Sequence, residues 1–481
     1  MPGGVPHSAP EADSDFEGLA ARMWTFAARS MPEHVLTLAV GSPLAARVPD
    51  SGLLWHPGYR SRHAVRLCLS GLSEVVSAVA IGVAKLLWRP SLFEYALYGS
   101  HDGALLVVPS VLGREVPHGA FVTNYISSKP QDAVLAVGPV GTCGSLARPV
   151  RVSRWSTIRI ALRLAGAGFS ACLRVKGAAL EKTLLLEVWL SWALGLRWLL
   201  AFATRIALEE VLVGDRFSQV GCIHEMNAAA RAVWRVAHAK GLRTCTVQHA
   251  SVSRAKLWYF AFAEEVAAGV VLPDLFYVYS PTVADLLEPY YPEADIRLGC
   301  GQRYAQWRDS EAALSGQGDS FLFVGSLAVF DNEVVIGAIL RLAGPAAGSG
   351  TRLRLRMHPA AETRRSLARR LRRAVAAGSI ELSTGHSLAD DIAQSRVVVG
   401  MSSTVLEEAI LLGCPAIQLL DSDFLEYVDI AGIEGGAKVN HTELSFELLN
   451  QMSTAHVDGR ELRERMGAGY PVVTYERLFK S

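Results

Sequence analysis

Three short segments decide how this chain folds: Phe321–Ser326 (FLFVGS), Leu353–Pro359 (LRLRMHP) and Val397–Thr404 (VVVGMSST). Each is an apolar, strand-like run that stops at a turn, and each is followed by a helix-like pattern. Short β-rich runs alternating with helical stretches predict a parallel sheet with crossover helices, whose ligands sit at the carboxyl ends of the strands. The turns at Gly325-Ser326, Arg356-Met357-His358-Pro359 and Gly400-Met401-Ser402-Ser403-Thr404 all fall at such ends. Residues 321–420 therefore read as one nucleotide-binding half.

Within this half the spacing predicts a helix over Glu362–Ala377, with Arg364, Arg365, Arg369, Arg370, Arg372 and Arg373 opposite Leu367, Leu371 and Val375. That face is either solvated or turned to an anionic partner. Ser387 and Asp390 are spaced as a capping box for a short helix. A further helix runs from Thr404 to Leu412, stopped by Gly413 and Pro415. Upstream, strand-like Gln219–Ile223 ends in His224-Glu225-Met226-Asn227, and Ala228–Lys240 is an Ala-rich helix stopped by Gly241. Arg243–Val247 ends in Gln248-His249, Leu275–Tyr279 leads into a helix over Thr282–Glu288, and Ile296–Leu298 ends in Gly299-Cys300-Gly301. Weaker strand patterns precede these at Val35–Val40, Tyr95–Tyr98, Ala104–Val108 and Ala133–Val137. The fold class expected is α/β: two Rossmann-like, doubly wound domains facing across a cleft. The expected divisions are a disordered tail (1–20), an N-terminal Rossmann-like domain (21–303) with an apolar helical insertion near 151–210, a linker (304–319), a C-terminal Rossmann-like domain (320–450) and a helical segment (451–481) that packs back on the N-terminal domain.

With 481 residues the chain is long enough for two cores, and its formal net charge of +1 gives no reason to expect nucleic acid. Cys68, Cys143, Cys172, Cys222, Cys245, Cys300 and Cys414 form an odd, scattered set without a C-x-x-C, which argues against a disulfide framework or a zinc site and for a reducing cytoplasm. The first residues are Pro/Gly-rich and acidic, unlike a signal peptide. Hydrophobic residues make up 50% of the chain and the mean hydropathy is +0.24; the segments Ala64–Trp88 and Leu184–Ala203 raise both. The second approaches the ~20 apolar residues that span a bilayer. Glu187 and Arg197 lie inside it, each costing roughly 3 kcal/mol near a membrane centre, so a core helix or one lying at an interface is the better reading. Trp189, Trp192 and Trp198 would suit a membrane–water interface. Arg148, Arg151, Arg154, Arg159, Arg163, Arg174 and Lys176 precede it and give either a solvated face or peripheral contact with an anionic membrane at the inner face of the plasma membrane.

The cleft would bring Glu225 and His249 of the first half to His358 and the Ser402-Ser403-Thr404 turn of the second. Hydroxyl residues opening a helix either cap it or, with the free N–H groups and the helix dipole, receive a phosphate. His358, with Arg356 one strand period away on the same face, adds donors to the same end of the sheet.

The combination of RMHP with S-L-x-D-D-I-A-x-S-R-V-V-V-G-M-S-S-T-V-L-E-E-A-x-x-x-G-x-P resembles the donor-binding domain of GT-B glycosyltransferases. More narrowly, it is similar to bacterial sialyltransferases, polysialyltransferases and capsule or surface-polysaccharide transferases. The resemblance covers about residues 215–420 and takes in I-H-E-M-N and T-V-Q-H-A-S upstream. It implies a GT-B-like fold with 21–303 as acceptor domain and 320–450 as donor domain, that His358 and Pro359 meet the nucleotide and phosphate, that Ser402 and Ser403 meet the phosphate, and that Glu408 meets a donor ribose or sugar. Gly325, Ser326 and Thr404 join the expected donor-binding residues through their place at the same strand ends. The acidic motif that holds the general base in sialyltransferases has no clean copy here, and His249 and Glu225 stand in for it. Asp421-Ser422-Asp423 matches a metal-chelating pattern of another transferase fold but follows a late strand, so it reads as a loop. No metal and no cofactor beyond the co-substrate is expected. The function expected is transfer of a sugar, first a CMP-activated nonulosonic acid or Kdo, to a bacterial surface glycan or glycolipid. Alternatives are a UDP-sugar transferase, a nucleotide-sugar 2-epimerase of the same fold, or a non-catalytic membrane-associated glycan-assembly subunit.

Overall fold

The computed structural model describes residues 93–479 apart from 101, 110–130, 144, 152, 175–189, 191–192, 195–197, 224–227, 250, 253–258, 262–265, 267–269, 302–303, 305–317, 327–328, 359–364, 386, 422–427 and 429, together with helical positions 76, 79, 80, 82 and 83. The strand expected at Val35–Val40 and most of the helix expected at Ala64–Trp88 lie outside the described residues.

Two sheets carry the molecule. The first has eight strands: β1 (Phe93–Tyr98), β2 (Gly103–Pro109), β3 (Val134–Pro139), β4 (Arg148–Pro149), β5 (Phe217–Cys222), β6 (Arg243–Val247), β7 (Leu275–Val278) and β8 (Asp295–Leu298), in the order β4-β1-β3-β2-β5-β6-β7-β8. β3, β2 and β5 to β8 are parallel, whereas β1 runs antiparallel between β3 and β4, an edge that the sequence did not announce. The second sheet has six parallel strands: β9 (Ser320–Val324), β10 (Arg352–Arg356), β11 (Glu381–Leu382), β12 (Ser395–Gly400), β13 (Ala416–Leu420) and β14 (Gly436–Asn440), in the order β11-β10-β9-β12-β13-β14. Counted in chain order this is 3-2-1-4-5-6, the doubly wound arrangement of dinucleotide-binding sheets. The two-half, GT-B-like architecture follows.

The helices are α1 (Arg154–Arg174), α2 (Leu199–Val211), α3 (Ala228–Ala239), α4 (Pro281–Leu287), α5 (Val329–Ser349), α6 (Arg365–Ala376), α7 (Leu388–Ala393), α8 (Val405–Leu411), α9 (Phe446–Met452), α10 (Arg460–Arg465) and α11 (Tyr475–Phe479). Side chains alternate across each strand, so every central strand feeds two layers. Phe321 and Phe323 face Ile339 and Leu342 of α5 and Leu371 of α6. Leu322 and Val324 face the other way, toward Ile392 of α7 and Leu406 and Ile410 of α8. That second layer continues without a break into the first half, through Leu106, Val247, Leu275 and Tyr277. The halves therefore share one apolar layer. On the opposite face of the first sheet, Leu105, Val107, Val220 and Phe276 pack against Leu208 of α2 and Trp234 of α3.

Trp198 corrects one expectation. It is fully buried within this layer, its indole Nε1 donates to the carbonyl of Ala193 at 3.0 Å, and its ring meets Phe202 edge-on. It is a core residue and takes no part in a membrane interface; Trp189 and Trp192 lie outside the described residues. Among the described residues no helix is long and apolar enough to cross a membrane.

The C-terminal segment crosses back to the first sheet. Val472 bridges Cys300 after β8, and Tyr475 Oη donates to the carbonyls of Ala104 (2.7 Å) and Ala133 (3.3 Å). Leu478 and Phe479 press on Gly221, where a Cβ would meet Phe479 Cζ at 2.9 Å. The crossing pivots on Gly467, which has φ +69 and would bring a Cβ within 2.1 Å of the Tyr279 carbonyl oxygen. Gly467→Ala combines an unfavourable φ with a backbone clash and is expected to cost about 2 kcal/mol or more. The fall should appear as a lower urea midpoint; an unchanged midpoint would contradict this close crossing.

Candidate functional site: the crevice at the strand ends

The β9 register fixes the site. Val324 pairs with Arg356 on one side and with Gly400 on the other. Gly325-Ser326, Met357-His358 and Met401-Ser402 thus leave three adjacent strands at one level. Crossovers on either side of β9 depart to opposite faces, and the crevice they leave is where ligands of such sheets bind.

The first turn is tightly held. Ser326 N donates to Asn332 Oδ1 (2.9 Å), Asn332 Nδ2 donates back to the Ser326 carbonyl (3.1 Å), and Ser326 Oγ donates to Asp331 Oδ2 (2.7 Å). A side chain at Gly325 would strike Asn332 Oδ1 at 2.7 Å, so glycine is required for strand end and helix to approach. On the far side of β9, Ser402, Ser403 and Thr404 are half-buried and lead into α8. Thr404 occupies the cap position yet its side chain makes no capping hydrogen bond, while Ser403 Oγ accepts weakly from Val405 N at 3.4 Å. Capping accounts for one of the three hydroxyls.

Arg356 is placed differently from the sequence expectation. Its guanidinium reaches Asp391 of α7, a fully buried carboxylate that also receives Arg354 and the Ser383 hydroxyl. The positive charge of Arg356 is already answered within the protein, so it is an anchored member of an ion-pair cluster and not a freely available phosphate ligand. His358, two residues on, is half-buried at the crevice, and Pro359 lies outside the described residues.

From the first half, β6 delivers Gln248 and His249. Gln248 N donates to the Tyr277 carbonyl (2.8 Å) and its Oε1 accepts from Tyr279 N (2.9 Å), which fixes the strand end. His249 is half-buried, with its Nδ1 3.4 Å from Tyr259 Oη and the two rings stacked at 6.2 Å. Two residues further on, Ser251 Oγ donates to Glu407 Oε2 of α8. This contact joins the strand-end loop of one half to the first helical turn after the Ser-Ser-Thr turn of the other. Glu225 lies outside the described residues.

Glu407 and Ser251 were not singled out in the sequence, although successive glutamates on an otherwise apolar helix are a signal. Glu407 is 4% and Glu408 2% exposed. Carboxylates are seldom buried without partners, and Glu407 has one in the Ser251 hydroxyl of the other half. Asp421 is paired with His441 at 3.1 Å, which suits the loop reading of Asp421-Ser422-Asp423; Ser422 and Asp423 lie outside the described residues. Among the described residues no cluster of His, Cys, Asp and Glu could hold a metal.

No family model and no curated protein matches the chain. Among solved structures, the Methanocaldococcus jannaschii UDP-GlcNAc 2-epimerase in complex with UDP-GlcNAc and UDP is similar at 15% identity and a TM-score of 0.40, covering 56% of this chain and 79% of that one. The Neisseria meningitidis UDP-GlcNAc 2-epimerase bound to UDP-GlcNAc is similar at 13% identity and a TM-score of 0.38, covering 56% and 78%. The pneumococcal O-GlcNAc transferase GtfA in complex with UDP and GlcNAc is similar at 13% identity and a TM-score of 0.35, covering 56% of each. With superpositions this partial, the fold assignment rests on the strand order of the chain itself.

Asp391 offers a direct test of the cluster beneath the crevice. Asp391→Asn takes from Arg354, itself buried, its close and buried charge partner and leaves it only the half-exposed Glu381 at 3.7 Å; removing one member of a buried pair costs about 3–5 kcal/mol. A lowered denaturant midpoint is the expected result; a shift below about 1 kcal/mol, the worth of an exposed pair, would contradict the burial argued here.

Proposed function

We propose that the crevice binds a nucleotide-activated sugar and that the protein transfers the sugar to a hydroxyl of a surface-glycan or glycolipid acceptor. The observation that carries this reading is the Ser251–Glu407 contact, which sets the His249 strand end of one half against the Ser402-Ser403-Thr404 turn of the other. A donor phosphate held by the second half would then lie beside a base held by the first.

In the proposed reaction the acceptor hydroxyl gives its proton to His249, through Nε2, as its oxygen forms the new bond to the anomeric carbon. The bond from that carbon to the nucleotide phosphate breaks, and the leaving phosphate keeps the electron pair. Hydrogen bonds from His358, Ser402 and Ser403 stabilise the developing charge, while the donors of the Gly325-Ser326 turn are held within the protein and only shape the crevice. A CMP-linked nonulosonic acid or Kdo is the donor suggested by the His-Pro and Ser-Ser-Thr resemblance, with a UDP-sugar as its competitor.

Calorimetric titration with CMP and UDP tests the donor site. His358→Ala and Ser402→Ala should each weaken binding about ten- to a hundredfold, the worth of one charge-assisted hydrogen bond. His249→Ala should leave nucleotide affinity near its original value and lower turnover about a hundredfold or more. Conversion of UDP-N-acetylhexosamine alone, without an acceptor, would show epimerisation and contradict transfer. Absence of binding by either nucleotide would contradict the donor site itself.

A further inference from the structure

Helix α1 has two separate apolar faces, and the fold uses only one. Thr157, Ala161 and Leu164 are buried, the last two in the core layer of the first sheet. Trp155 is 80%, Leu162 62% and Phe169 52% exposed. These three recur every seventh position along α1, so at ~100° per residue they form one row that drifts only ~20° per step. The row lies about 130° around the helix from the buried one. Scattered exposed hydrophobics are ordinary, but three large ones aligned along one helix face are not.

The charge around the row has one sign. Between Asp132 and Glu181 the chain has no acidic residue, while Arg148, Arg151, Arg154, Arg159, Arg163, Arg174 and Lys176 fall in that interval. Arg151, Arg154, Arg159 and Arg163 are exposed. Arg159 and Arg163 follow Trp155 by one and two turns and flank the row on one side. Among the described residues no carboxylate pairs with either of them. In a chain whose net charge is only +1, this is a strong local excess.

We infer that the outer face of α1 docks the protein on an anionic lipid surface. Aromatic and aliphatic side chains in a row, edged by arginines on a helix lying flat, suit the boundary between headgroups and acyl chains. A protein partner would need acidic groups to match the arginines and an apolar groove to take the row, whereas an anionic bilayer supplies both at once. Trp198, already committed to the core, takes no part. The docking site therefore lies on α1, upstream of the Trp-rich segment, and it is independent of the reading given to the crevice.

The test is co-sedimentation of the full-length protein with phosphatidylcholine vesicles, with and without phosphatidylglycerol. The wild type should sediment only with the anionic vesicles, and less as salt is raised. Arg159→Gln and Arg163→Gln should each weaken partitioning about fivefold. The triple variant Trp155→Ser, Leu162→Ser, Phe169→Ser should abolish it with the circular dichroism and thermal midpoint retained, because all three side chains already face solvent. A wild type that stays in solution with anionic vesicles overturns the inference, as does a folded triple variant that sediments undiminished. A wild-type dimer that the triple variant converts to a monomer, with no vesicle binding by either, assigns the face to a second copy of the chain and overturns it equally.

Discussion

Strand β9 is hydrogen-bonded on both edges and buried on both faces, and the rest of the second half is arranged by that fact. A strand so enclosed can be extended only by a chain that leaves through its carboxyl end. Crossovers in parallel sheets take one hand, so the pair built toward β10 and β11 covers one face and the pair built toward β12 and β13 covers the other. The core layers show the result: α5 and α6 pack with Phe321 and Phe323, and α7 and α8 with Leu322 and Val324. Between the diverging helices the strand ends are left open, and Gly325, His358 and Ser402 stand at that opening.

The face covered by α7 and α8 is also the face that meets the first half. One continuous apolar layer runs from Ile410 through Val324 to Val247 and Tyr277, and the C-terminal segment closes it with Tyr475, Leu478 and Phe479. Stability and site geometry are thereby coupled. The packing that holds the halves together is what sets Ser251 against Glu407 and carries His249 toward the crevice. Two buried glutamates and the Asp391 cluster are expensive within such a layer, and an apolar core would be cheaper.

Much of this was legible in the chain. The strands around Phe321–Val324, Leu353–Arg356 and Val397–Gly400 appear within a residue or two of their expected bounds, because continuous apolar runs ended by glycine or polar turns leave little choice in a parallel sheet. The capping box of Ser387 and Asp390 is present as its spacing implied. Partnerships distant in sequence were not legible. Arg356 looked like a ligand-facing cation because its partner lies 35 residues away, and Ser251 and Glu407 are 156 apart. The antiparallel β1 and two-residue β4 carry no signal distinguishing them from parallel strands. Tryptophan in an apolar segment has the same composition whether it enters a core or meets lipid, and Trp198 took the core. Conversely, the Trp155, Leu162 and Phe169 row became visible only once burial had shown which face of α1 was already occupied.

The central claim is positional: the phosphate of a nucleotide sits at the carboxyl ends of β9, β10 and β12. Diffraction from crystals grown with CMP or UDP tests it most directly. The account predicts phosphate density within hydrogen-bonding distance of Ser402 and His358, with the base extending over the second sheet and the sugar side open to His249. A nucleotide bound at the amino ends of the strands, for instance in the depression lined by His238, Arg243 and Asp274, or held wholly by the first sheet, would contradict it.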